Sequence, residues 1–322
     1  MKKIISIVVI AILIIGGITL SINEKSAEQV VRFGYLPAVH ALPLFVAQEK
    51  GYFAEQGIRA EITKFEAPNQ IIDALISGHI DMALAAATGI TAIAESKNPN
   101  SLKVFAVAGG DKEHIAEAIL VGKDSSIASI ADLKGKKVGV LPGIQWKTIA
   151  RNIFLKNSLD IDKDLTLVEL AIPLQAQALA SKQIDALLAI EPVITVADSL
   201  DISKILVKSP NLVYVSDPFY AGVGNVSVKF VNENPESLKK ALTALEMAHA
   251  DIDKDVDSLR HYFPAYIPLT PELASKVNLP VYKMYKDFTS ADIDAIEKFV
   301  GVFKEYNVIT SPLSAAAFLF DK

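Results

Sequence analysis

The stretch DALISGHIDMALA, from Asp73 to Ala85, recurs in altered form as QALASKQIDALLA, from Gln177 to Ala189. Two other pairs recur in the same order and at nearly the same spacing: GYLPAVH with GVLPGIQ, from Gly34 and Gly139, and PNQ with PLQ, from Pro68 and Pro173. One such match arises easily by chance, whereas three in register indicate a duplicated unit. The chain therefore contains two similar units, each of about 100 residues, which is a usual size for one lobe or domain.

Each unit has the same predicted order of strands and helices. A β-rich run leads through a proline and a small residue into a helical pattern, and a second strand, a second helix and a short apolar strand follow. The predicted strands are Val30–Leu36, Ile58–Phe65 and Met82–Ala85 in the first unit, Lys137–Leu141, Leu165–Ile172 and Ala186–Ala189 in the second, and fourth strands at Leu102–Val107 and Leu212–Val215. Strands that alternate with helices predict an α/β fold with mostly parallel sheets and right-handed crossovers.

Two extended apolar runs, Ile115–Asp124 and Tyr220–Phe230, are suited to strands that cross between the units. The rest of the chain is helical by pattern, at Pro235–Asp253 and Ser290–Tyr306, with Pro271–Lys276 between them. A return of the chain at the second crossing would pack these helices on the first unit.

The sequence therefore predicts a two-lobed molecule. The first lobe comprises 27–119 plus 225–322 and includes the C-terminal helices, and the second lobe comprises 120–224. Two lobes joined by two crossover strands form a cleft with a hinge, which can close around a ligand.

The N-terminal segment has the pattern of an export signal. Lys2 and Lys3 are followed by an uncharged run from Ile4 to Ile22. A signal-peptide core has roughly 7–15 apolar residues, whereas about 20 span a bilayer. We therefore interpret 1–26 as a signal or membrane anchor, and favour an uncleaved anchor over a cleaved signal peptide. The lysines would stay in the cytoplasm, and the rest of the chain would be exported to the periplasmic or extracellular face.

The composition excludes several classes of function. The chain has 322 residues, 51% of them hydrophobic, and a formal net charge of −5, so it can form a sizeable core and lacks the basic surface that nucleic-acid binding needs. It contains no cysteine, which excludes thiol catalysis, cysteine-ligated zinc and disulfide bonds. Its five histidines form no closely spaced metal pair, and no nucleotide-binding or serine-hydrolase motif is present. We expect no cofactor, no metal and no nucleic-acid partner.

The repeat also predicts where a ligand binds. In open parallel sheets, ligands bind beyond the carboxyl ends of the strands, so paired loops of the two units should face each other across the cleft. Several of these loops lead directly into helices, whose N-terminal N–H groups suit a carboxylate, a sulfonate or a similar group. The predicted ligand contacts are Pro37, Ala38, His40, Gln70, Ala87, Thr88, Gly109, Gly143, Gln145, Trp146, Gln175, Glu191, Phe219 and Tyr220.

Three of these side chains also have a structural explanation. His40 is the counterpart of Gln145 across the repeat, and either contacts the ligand, caps a helix or is simply exposed. Trp146, the only tryptophan, lies in a predicted loop and either walls the ligand with its indole or belongs to the core of a lobe. Glu191 either pairs with an amine or an amidine-like ring edge, or caps a helix beside Pro192.

The segments that carry these features resemble a known family. GYLPAVHALPLFVAQEKGYFAEQG, SGHIDMALAAATGI, DLKGKKVGVLPG and SKQIDALLAIEP are similar to the solute-binding proteins of ABC importers, in the group for nitrate, alkanesulfonates, taurine and pyrimidine precursors of thiamin. The resemblance implies a type II periplasmic-binding fold, a cleft that closes on a small polar solute, and delivery of that solute to a membrane permease with its ATPase. We expect the protein to act as a monomer.

The resemblance leaves the solute open. In pyrimidine-binding members an acidic residue at the position of Glu191 meets the amino-pyrimidine, but of the Asn and His that usually follow the first strand only His40 is present here. A sulfonate or nitrate site should offer more donors, and no arginine falls in the predicted loops, although backbone N–H groups can suffice.

Two other functions compete with solute binding. Yeast-type pyrimidine synthases resemble this family and use a cysteine-rich motif and a histidine, so the absence of cysteine argues against such an enzyme. A sensory or adaptor pair of lobes is the third possibility, and the absence of any DNA-binding or signalling module argues against it. We therefore interpret the protein as a non-enzymatic binding protein.

Overall fold

The computed structural model of the chain describes residues 29–320. The predicted export segment, 1–26, lies outside the described residues. The strands in the described part are β1 (Gln29–Tyr35), β2 (Ile58–Lys64), β3 (Met82–Ala87), β4 (Leu102–Gly110), β5 (Glu117–Gly122), β6 (Lys137–Val140), β7 (Thr166–Glu169), β8 (Ala186–Ile190), β9 (Ser203–Lys208), β10 (Phe219–Ser227) and β11 (Val281–Met284).

Helices flank these strands. They are α1 (Leu42–Glu49), α2 (Tyr52–Glu55), α3 (Pro68–Ile76), α4 (Thr88–Lys97), α5 (Ile144–Leu155), α6 (Ile172–Ala180), α7 (Val193–Ser199), α8 (Pro210–Tyr214), α9 (Val228–Glu233), α10 (Pro235–Asp255), α11 (Pro271–Ala274) and α12 (Ser290–Glu305). Short 3₁₀-helices lie at Val39–Ala41, Ile130–Leu133, Asp257–Ala265, Tyr285–Asp287 and Ala315–Ala317. Between residues 29 and 320, no helix has both the length and the apolar character that crossing a membrane requires.

The strands form two sheets with the same internal order. The first sheet runs β2-β1-β3-β10-β4-β11 and the second runs β7-β6-β8-β5-β9. The first four strands of each sequence unit take the same places in their sheets, and the crossover strands β10 and β5 are inserted between the third and the fourth. This shared order confirms the duplication that the sequence predicts.

Each sheet is mostly parallel. β1, β2 and β3 pair in parallel, and β4 runs in the same direction because both β3 and β4 pair antiparallel with β10. β6, β7, β8 and β9 are arranged in the same way around β5. The predicted α/β fold, with two lobes built on mostly parallel sheets, is confirmed.

Both units contain an Ile-Asp pair just before the third strand, Ile80-Asp81 and Ile184-Asp185. The aspartate of each pair makes the same contact, which helps the two units to fold alike. Asp81 precedes β3, and its carboxylate accepts a 2.9 Å hydrogen bond from the backbone N–H of Arg32 in β1. Asp185 precedes β8 and accepts a 2.8 Å hydrogen bond from the N–H of Lys137 in β6. In both units the acid joins the start of the third strand to the first strand, and Arg32 adds an ion pair with Asp81 at 2.6 Å.

The third strands lie in the middle of the sheets because they are apolar on both faces. All of β3, MALAAA, and all of β8, ALLAI, are buried. Continuous apolar runs are typical of parallel strands that helices cover on both sides. The edge strands β2 and β7 alternate or are partly exposed instead.

One predicted strand is wrong. Leu212–Val215 covers the end of α8, and the fourth strand of the second sheet is β9. Pro210 lies in the first turn of α8, where its fixed φ angle and missing N–H suit a helix start. β9, with the sequence SKILVK, lies at the sheet edge, and the lysines that protect such an edge obscure a strand pattern. β11 is a further strand that the sequence pattern does not predict.

The chain crosses between the sheets twice. It passes from β4 to β5 across residues 111–116 and returns from β9 to β10 across residues 209–218. α10 packs against α1 and α2, and α12 packs against β10 and α4. Below, the first lobe is the part built on the first sheet and the second lobe the part built on the second sheet. The predicted boundaries at 119/120 and 224/225 fall inside β5 and β10 and stay a proposal. By the definition used below, all of β10 belongs to the first lobe and all of β5 to the second.

Candidate ligand site

A small cavity lies where the carboxyl ends of the two sets of strands face each other. Five predicted contact residues line it, Ala38, His40 and Ala87 from the first lobe and Gln145 and Trp146 from the second. Its volume is about 20 Å³, which is room for about one water molecule. Both lobes therefore border one common space.

The rest of the lining is apolar or small. Leu36, Pro68, Leu141 and Ile190 supply aliphatic or ring surface, and Ala85, Ala86, Ala221 and Gly222 bring the backbone close to the cavity. No Lys, Arg, Asp or Glu side chain from the described part of the chain lines it. Within residues 29–320, no group of three or more His, Cys, Asp or Glu side chains is arranged to hold a metal ion.

His40 is the polar side chain that the first lobe brings to the cavity. It lies in the 3₁₀-helix directly after β1 and is buried. Its ring has no hydrogen-bond partner within the described residues. A Cβ atom at Gly222 would lie only 3.2 Å from the ring. The glycine therefore avoids a close contact with the imidazole. Burial lowers the pKa of His40 to about 4, and a neutral ring offers a ligand one N–H donor and one acceptor.

Trp146 and Gln145 enter the cavity from the first turn of α5. Gly143, just before the helix, has a φ angle of +102°, a conformation that glycine adopts readily. The prediction that Trp146 lies in a loop is wrong, because this glycine ends the loop and α5 begins directly after it. Trp146 is buried as a residue, and its indole N–H has no acceptor among the described residues.

Gln145 joins the two lobes by hydrogen bonds. Its Oε1 accepts from the backbone N–H of Gly89 at 2.6 Å, and its Nε2 donates to the backbone oxygen of Ala221 at 3.1 Å. Gly89 lies in the first turn of α4, where the free N–H groups and the helix dipole favour a partially negative atom. Both the oxygen and the nitrogen of the Gln145 amide therefore have hydrogen-bond partners in the first lobe.

The carboxylate of Glu191 does not line this cavity. It is fully buried, and it accepts hydrogen bonds from the N–H of Thr195 at 3.1 Å and from the Thr195 hydroxyl at 3.0 Å. Nδ2 of Asn278, from the first lobe, donates to it at 2.6 Å. Burial raises the pKa of Glu191, and these hydrogen bonds partly offset that rise. Glu191 thus caps α7 and joins the lobes.

Three predicted contacts lie at or beside the start of β10. The Thr88 hydroxyl donates to the backbone oxygen of Tyr220 at 2.7 Å, and the Tyr220 hydroxyl donates to Asp292 at 2.5 Å. Phe219 is fully buried and meets the ring of Phe299 edge-on, with centroids 4.7 Å apart. Phe219 and Tyr220 are the first residues of the strand rather than part of a loop.

The remaining predicted contacts do not line the cavity. The amides of Gln70 and Gln175 bond to nearby backbone, with Gln70 accepting from Ala67 at 3.3 Å and Gln175 donating to Leu170 at 2.9 Å. Gly109 lies inside β4. Ligand contact stays a prediction for all fourteen residues, and of these Pro37, Gln70, Thr88, Gly109, Gly143, Gln175, Glu191, Phe219 and Tyr220 do not line this cavity.

Some lining residues carry only a weak signal in the sequence. Leu141 comes directly before the predicted loop 142–146, and Ile190 lies in the predicted loop 190–192, but neither is among the predicted contacts. Ala85 has a φ angle of +57°, which is uncommon for a residue other than glycine. Nothing in the run MALAAA indicates that bend.

The family of the chain is shown by its sequence match. Residues 38–255 match the family described as NMT1/THI5 like. The matched region is more than half of the chain and contains both sides of the cavity. The chain belongs to the NMT1/THI5-like family.

Curated relatives of this NMT1/THI5-like protein include binding proteins and synthases. A putative binding protein of Brucella abortus is 26% identical over 220 residues, which are 68% of this chain and 65% of that protein, so the match spans slightly less than two thirds of the relative. A putative aliphatic sulfonates-binding protein of Bacillus subtilis is 24% identical over 254 residues, 77% of this chain and 73% of that protein. A 4-amino-5-hydroxymethyl-2-methylpyrimidine phosphate synthase of Saccharomyces cerevisiae is 24% identical over 274 residues, 79% of this chain and 75% of that protein.

Solved structures share the fold of this NMT1/THI5-like protein. The periplasmic aliphatic sulphonate binding protein SsuA from Escherichia coli has a TM-score of 0.71 at 16% identity, covering 91% of this chain and 92% of that one. The periplasmic nitrate-binding protein NrtA from Synechocystis has a TM-score of 0.68 at 15% identity, covering 90% and 84%. At such low identity the likeness establishes the fold, which is the type II periplasmic-binding fold.

Proposed function

We propose that this protein is the extracytoplasmic substrate-binding component of an ABC importer. It captures a small polar solute between its lobes, which close by bending at the two crossings. The observation that carries this proposal is the cavity that both lobes line, with Gln145 bonded across the cleft beside it. A ligand that contacts both lobes stabilises their closed arrangement, and this couples binding to hinge closure.

The lining favours the uncharged members of the expected solutes. A sulfonate or nitrate anion would find no lysine or arginine among the described residues that line the cavity, and zwitterionic taurine would also find no aspartate or glutamate for its ammonium group. The N–H of Gly89, a helix N-terminal donor near the cavity, is already bonded to Gln145. By contrast, a thiamin-pyrimidine-like ring suits the indole of Trp146 and the neutral ring of His40, because both have an apolar face and a polar edge.

The cellular role follows from the relatives and the N-terminal pattern. Relatives of the same fold are described as periplasmic binding proteins, and 1–26 has the pattern of an export signal or anchor. The protein would therefore act outside the cytoplasm, held to the membrane by an uncleaved segment. As a monomer, it would deliver its solute to a permease with an attached ATPase.

A pyrimidine-synthase-like enzyme on the same fold is the alternative function. The name of the Saccharomyces cerevisiae relative supports it. The chain has no cysteine, whereas the synthases it resembles use a cysteine-rich motif. His40 has no hydrogen-bonded group within the described residues that would orient it as a general base. These features favour binding over catalysis.

Thermal shift measurements and calorimetry with a solute panel test the proposal. The panel contains hexanesulfonate, taurine, nitrate and 4-amino-5-hydroxymethyl-2-methylpyrimidine. We expect one solute to raise Tm by several degrees, because a ligand at 100 times its Kd stabilises the native state by about 2.7 kcal/mol. Trp146→Ala should weaken that binding about tenfold or more. Leu174→Ala, at an exposed position on α6, is the matched control and should bind like wild type.

Three outcomes would oppose the proposal. Conversion of a bound solute to a product, detected by chromatography, would favour the enzyme. Wild-type affinity in Trp146→Ala would place the site elsewhere. A protein that no member of the panel stabilises would exclude these solute classes.

A further inference from the structure

A second, smaller cavity also borders His40. Its volume is about 10 Å³. His249 of α10 and Tyr282 of β11 line it together with His40. Two histidines from distant parts of the chain thus border one small cavity beside the candidate ligand site.

His249 contributes an unpaired polar atom. Its Nε2 is buried and has no hydrogen-bond partner among the described residues. The ring lies edge-on to Tyr282, with centroids 6.4 Å apart, and the Tyr282 hydroxyl donates its proton to the backbone oxygen of Val39 at 2.7 Å. The tyrosine therefore does not donate to His249. A buried polar atom left without a partner costs about 1–3 kcal/mol.

His40 also lacks a side-chain partner, although neither of its ring nitrogens is among the fully buried polar atoms that have none. Neither of its ring nitrogens has a partner within the described part of the chain. Burial lowers the pKa of both His40 and His249 to about 4, so both rings are neutral at pH 7. A neutral imidazole has one N–H donor and one acceptor, and both need partners when the ring is buried.

The backbone at this cavity is irregular as well. In the ladder between β10 and β3, Val223 pairs with Ala86 and Asn225 pairs with Ala83. Two residues of β3 therefore lie opposite the single residue Gly224, and one of them, Ala85, has a φ angle of +57°. Such a bulge frees backbone groups from the ladder. Both Ala85 and Gly224 border the small cavity.

We propose that one water molecule occupies this cavity and hydrogen-bonds to Nε2 of His249 and to the ring of His40. The cavity has about the smallest volume that holds a water. Cavities lined only by apolar groups stay dry, whereas this one has two unpaired imidazoles and a strand bulge. His249 is then a positioning residue that acts on His40 through the water.

The water determines which ring nitrogen of His40 carries the proton. A water can donate to a ring nitrogen or accept from its N–H. Its bonds to His249 and to backbone groups freed by the bulge restrict which of these roles is left toward His40, and that role decides which ring nitrogen is protonated. His40 borders the main cavity as well, and this choice sets whether it donates to or accepts from a solute. The consequence for solute choice rests on the proposed function, whereas the water and the tautomer do not.

Crystallography and histidine NMR of the full-length chain test the inference without any solute. In wild type, we expect density for a water within hydrogen-bond distance of both rings, and ¹⁵N shifts that show one dominant tautomer of His40. His249→Phe keeps a ring against Tyr282 but removes Nε2. Loss of one hydrogen bond should change the His40 tautomer ratio about fivefold.

Two further variants make the test specific. His249→Gln can place a polar amide near the position of Nε2, and it should keep the water and hold the ratio within about twofold of wild type. His79→Phe removes an exposed histidine of the first lobe and should leave the His40 signals unchanged.

Two results would overturn the inference. One is a wild-type cavity with no water density at a resolution that shows other buried waters. The other is an unchanged His40 tautomer ratio in His249→Phe. If His249→Phe does not fold, the wild-type density and His249→Gln decide the question. A solute panel without hits would oppose the proposed function and leave this result standing.

Discussion

Glu117, the first residue of β5, is a buried acid at the first crossing between the lobes. Its Oε1 has no hydrogen-bond partner within the described residues, and burial raises the pKa of Glu117 from 4.5 to about 7. Between these values the unfolded chain loses the carboxyl proton while the folded chain keeps it. The free energy of unfolding therefore falls as the pH rises from 4.5 to 7, by at most about 3 kcal/mol.

Glu117→Gln should remove this pH dependence. The amide is neutral at every pH, so the gain in free energy of unfolding over wild type should be larger at pH 8 than at pH 4.5, by up to about 3 kcal/mol. Urea denaturation at both pH values measures it. Glu233→Gln, at an exposed position in α9, is the control. An equal difference at both pH values for Glu117→Gln would contradict the expected cause.

His40 gives a pH dependence of the opposite sign. Burial lowers the pKa of His40 from 6.5 to about 4, so below pH 6.5 the unfolded chain takes up a proton that the folded chain does not. Stability that is fully present above pH 6.5 is lost as the pH falls toward 4. The loss from this one residue is at most about 3 kcal/mol.

His40→Gln should lose less stability in acid than wild type does. The difference in free energy of unfolding, variant minus wild type, should grow as the pH falls from 7 to 4, up to about 3 kcal/mol. Urea titrations across this range measure the difference. His79→Gln, at an exposed position of the first lobe, is the comparison variant. If the difference in free energy of unfolding between His40→Gln and wild type does not change with pH, the His40 ring is not desolvated in the folded chain.

At the scale of elements, strands that are apolar on both faces can be predicted and edge strands cannot. β3 and β8 are continuous apolar runs, and their place in the sheet follows from that composition. β9 and β11 are edge strands with lysines, and β11 pairs with β4 far away in sequence. Their pairing depends on tertiary contacts that a local pattern does not contain.

The candidate site is predictable in position and much less so in detail. The repeat places His40 opposite Gln145 and Trp146, and these residues do border one cavity. The partners of the polar groups come from elsewhere: Gln145 bonds to Gly89 and Ala221. Such bonds are set by the packing of the two lobes, and no sequence spacing indicates them.

Asp292 joins three elements at the start of α12. Its carboxylate accepts hydrogen bonds from the N–H and the hydroxyl of Thr289 at 2.9 and 2.7 Å. It also accepts from Lys283 of β11 at 2.8 Å and from Tyr220 of β10 at 2.5 Å. Burial alone would raise the pKa of Asp292, but these hydrogen bonds lower it to about 2. Its contribution to stability is therefore present above pH 3.8 and lost as the pH falls through 2.

Asp292→Asn should cost about 2–4 kcal/mol of the free energy of unfolding at pH 7. The change removes the ion pair with Lys283 and leaves donors without an ionised acceptor. Asp294→Asn, an exposed acid in the first turns of the same helix, should cost less than about 1 kcal/mol through the helix dipole. Urea denaturation of both variants measures the difference. Equal costs would mean that Asp292 acts only as a helix-terminal charge.

At the scale of the whole molecule, side-chain hydrogen bonds within residues 29–320 join the part built on the first sheet to the part built on the second. Besides the two bonds of Gln145, Asn278 donates to Glu191 at 2.6 Å. The hydroxyl of Tyr306 in α12 donates to Asn152 of α5 at 3.3 Å. Apart from Ala221, which lies three residues after the second crossing, the bonded residues are distant from both crossings in sequence. Their side chains can therefore be changed without altering the backbone of the crossings.

Gln145→Ala should shift the lobes toward separation. It removes two hydrogen bonds worth about 1 kcal/mol each, so the ratio of open to closed molecules should rise about 5- to 30-fold. The chain has no cysteine, so Glu55→Cys on the first lobe and Leu200→Cys on the second, both exposed, give two unique labelling sites. Single-molecule energy transfer between the labels then reports the populations directly.

Lys147→Ala separates the effect of the lost bonds from a change in α5 itself. Lys147 lies in the same helix two positions from Gln145 and is exposed, so its variant should keep the wild-type distribution. If Gln145→Ala and wild type also show the same distribution, closure does not depend on the amide, and the remaining inter-lobe bonds and apolar contacts are sufficient. A shift in Gln145→Ala alone would mean that one side chain at the ligand cavity sets the equilibrium between open and closed molecules. A solute would then need to bind the closed form only a few kcal/mol more favourably than the open form to shift the equilibrium toward closure.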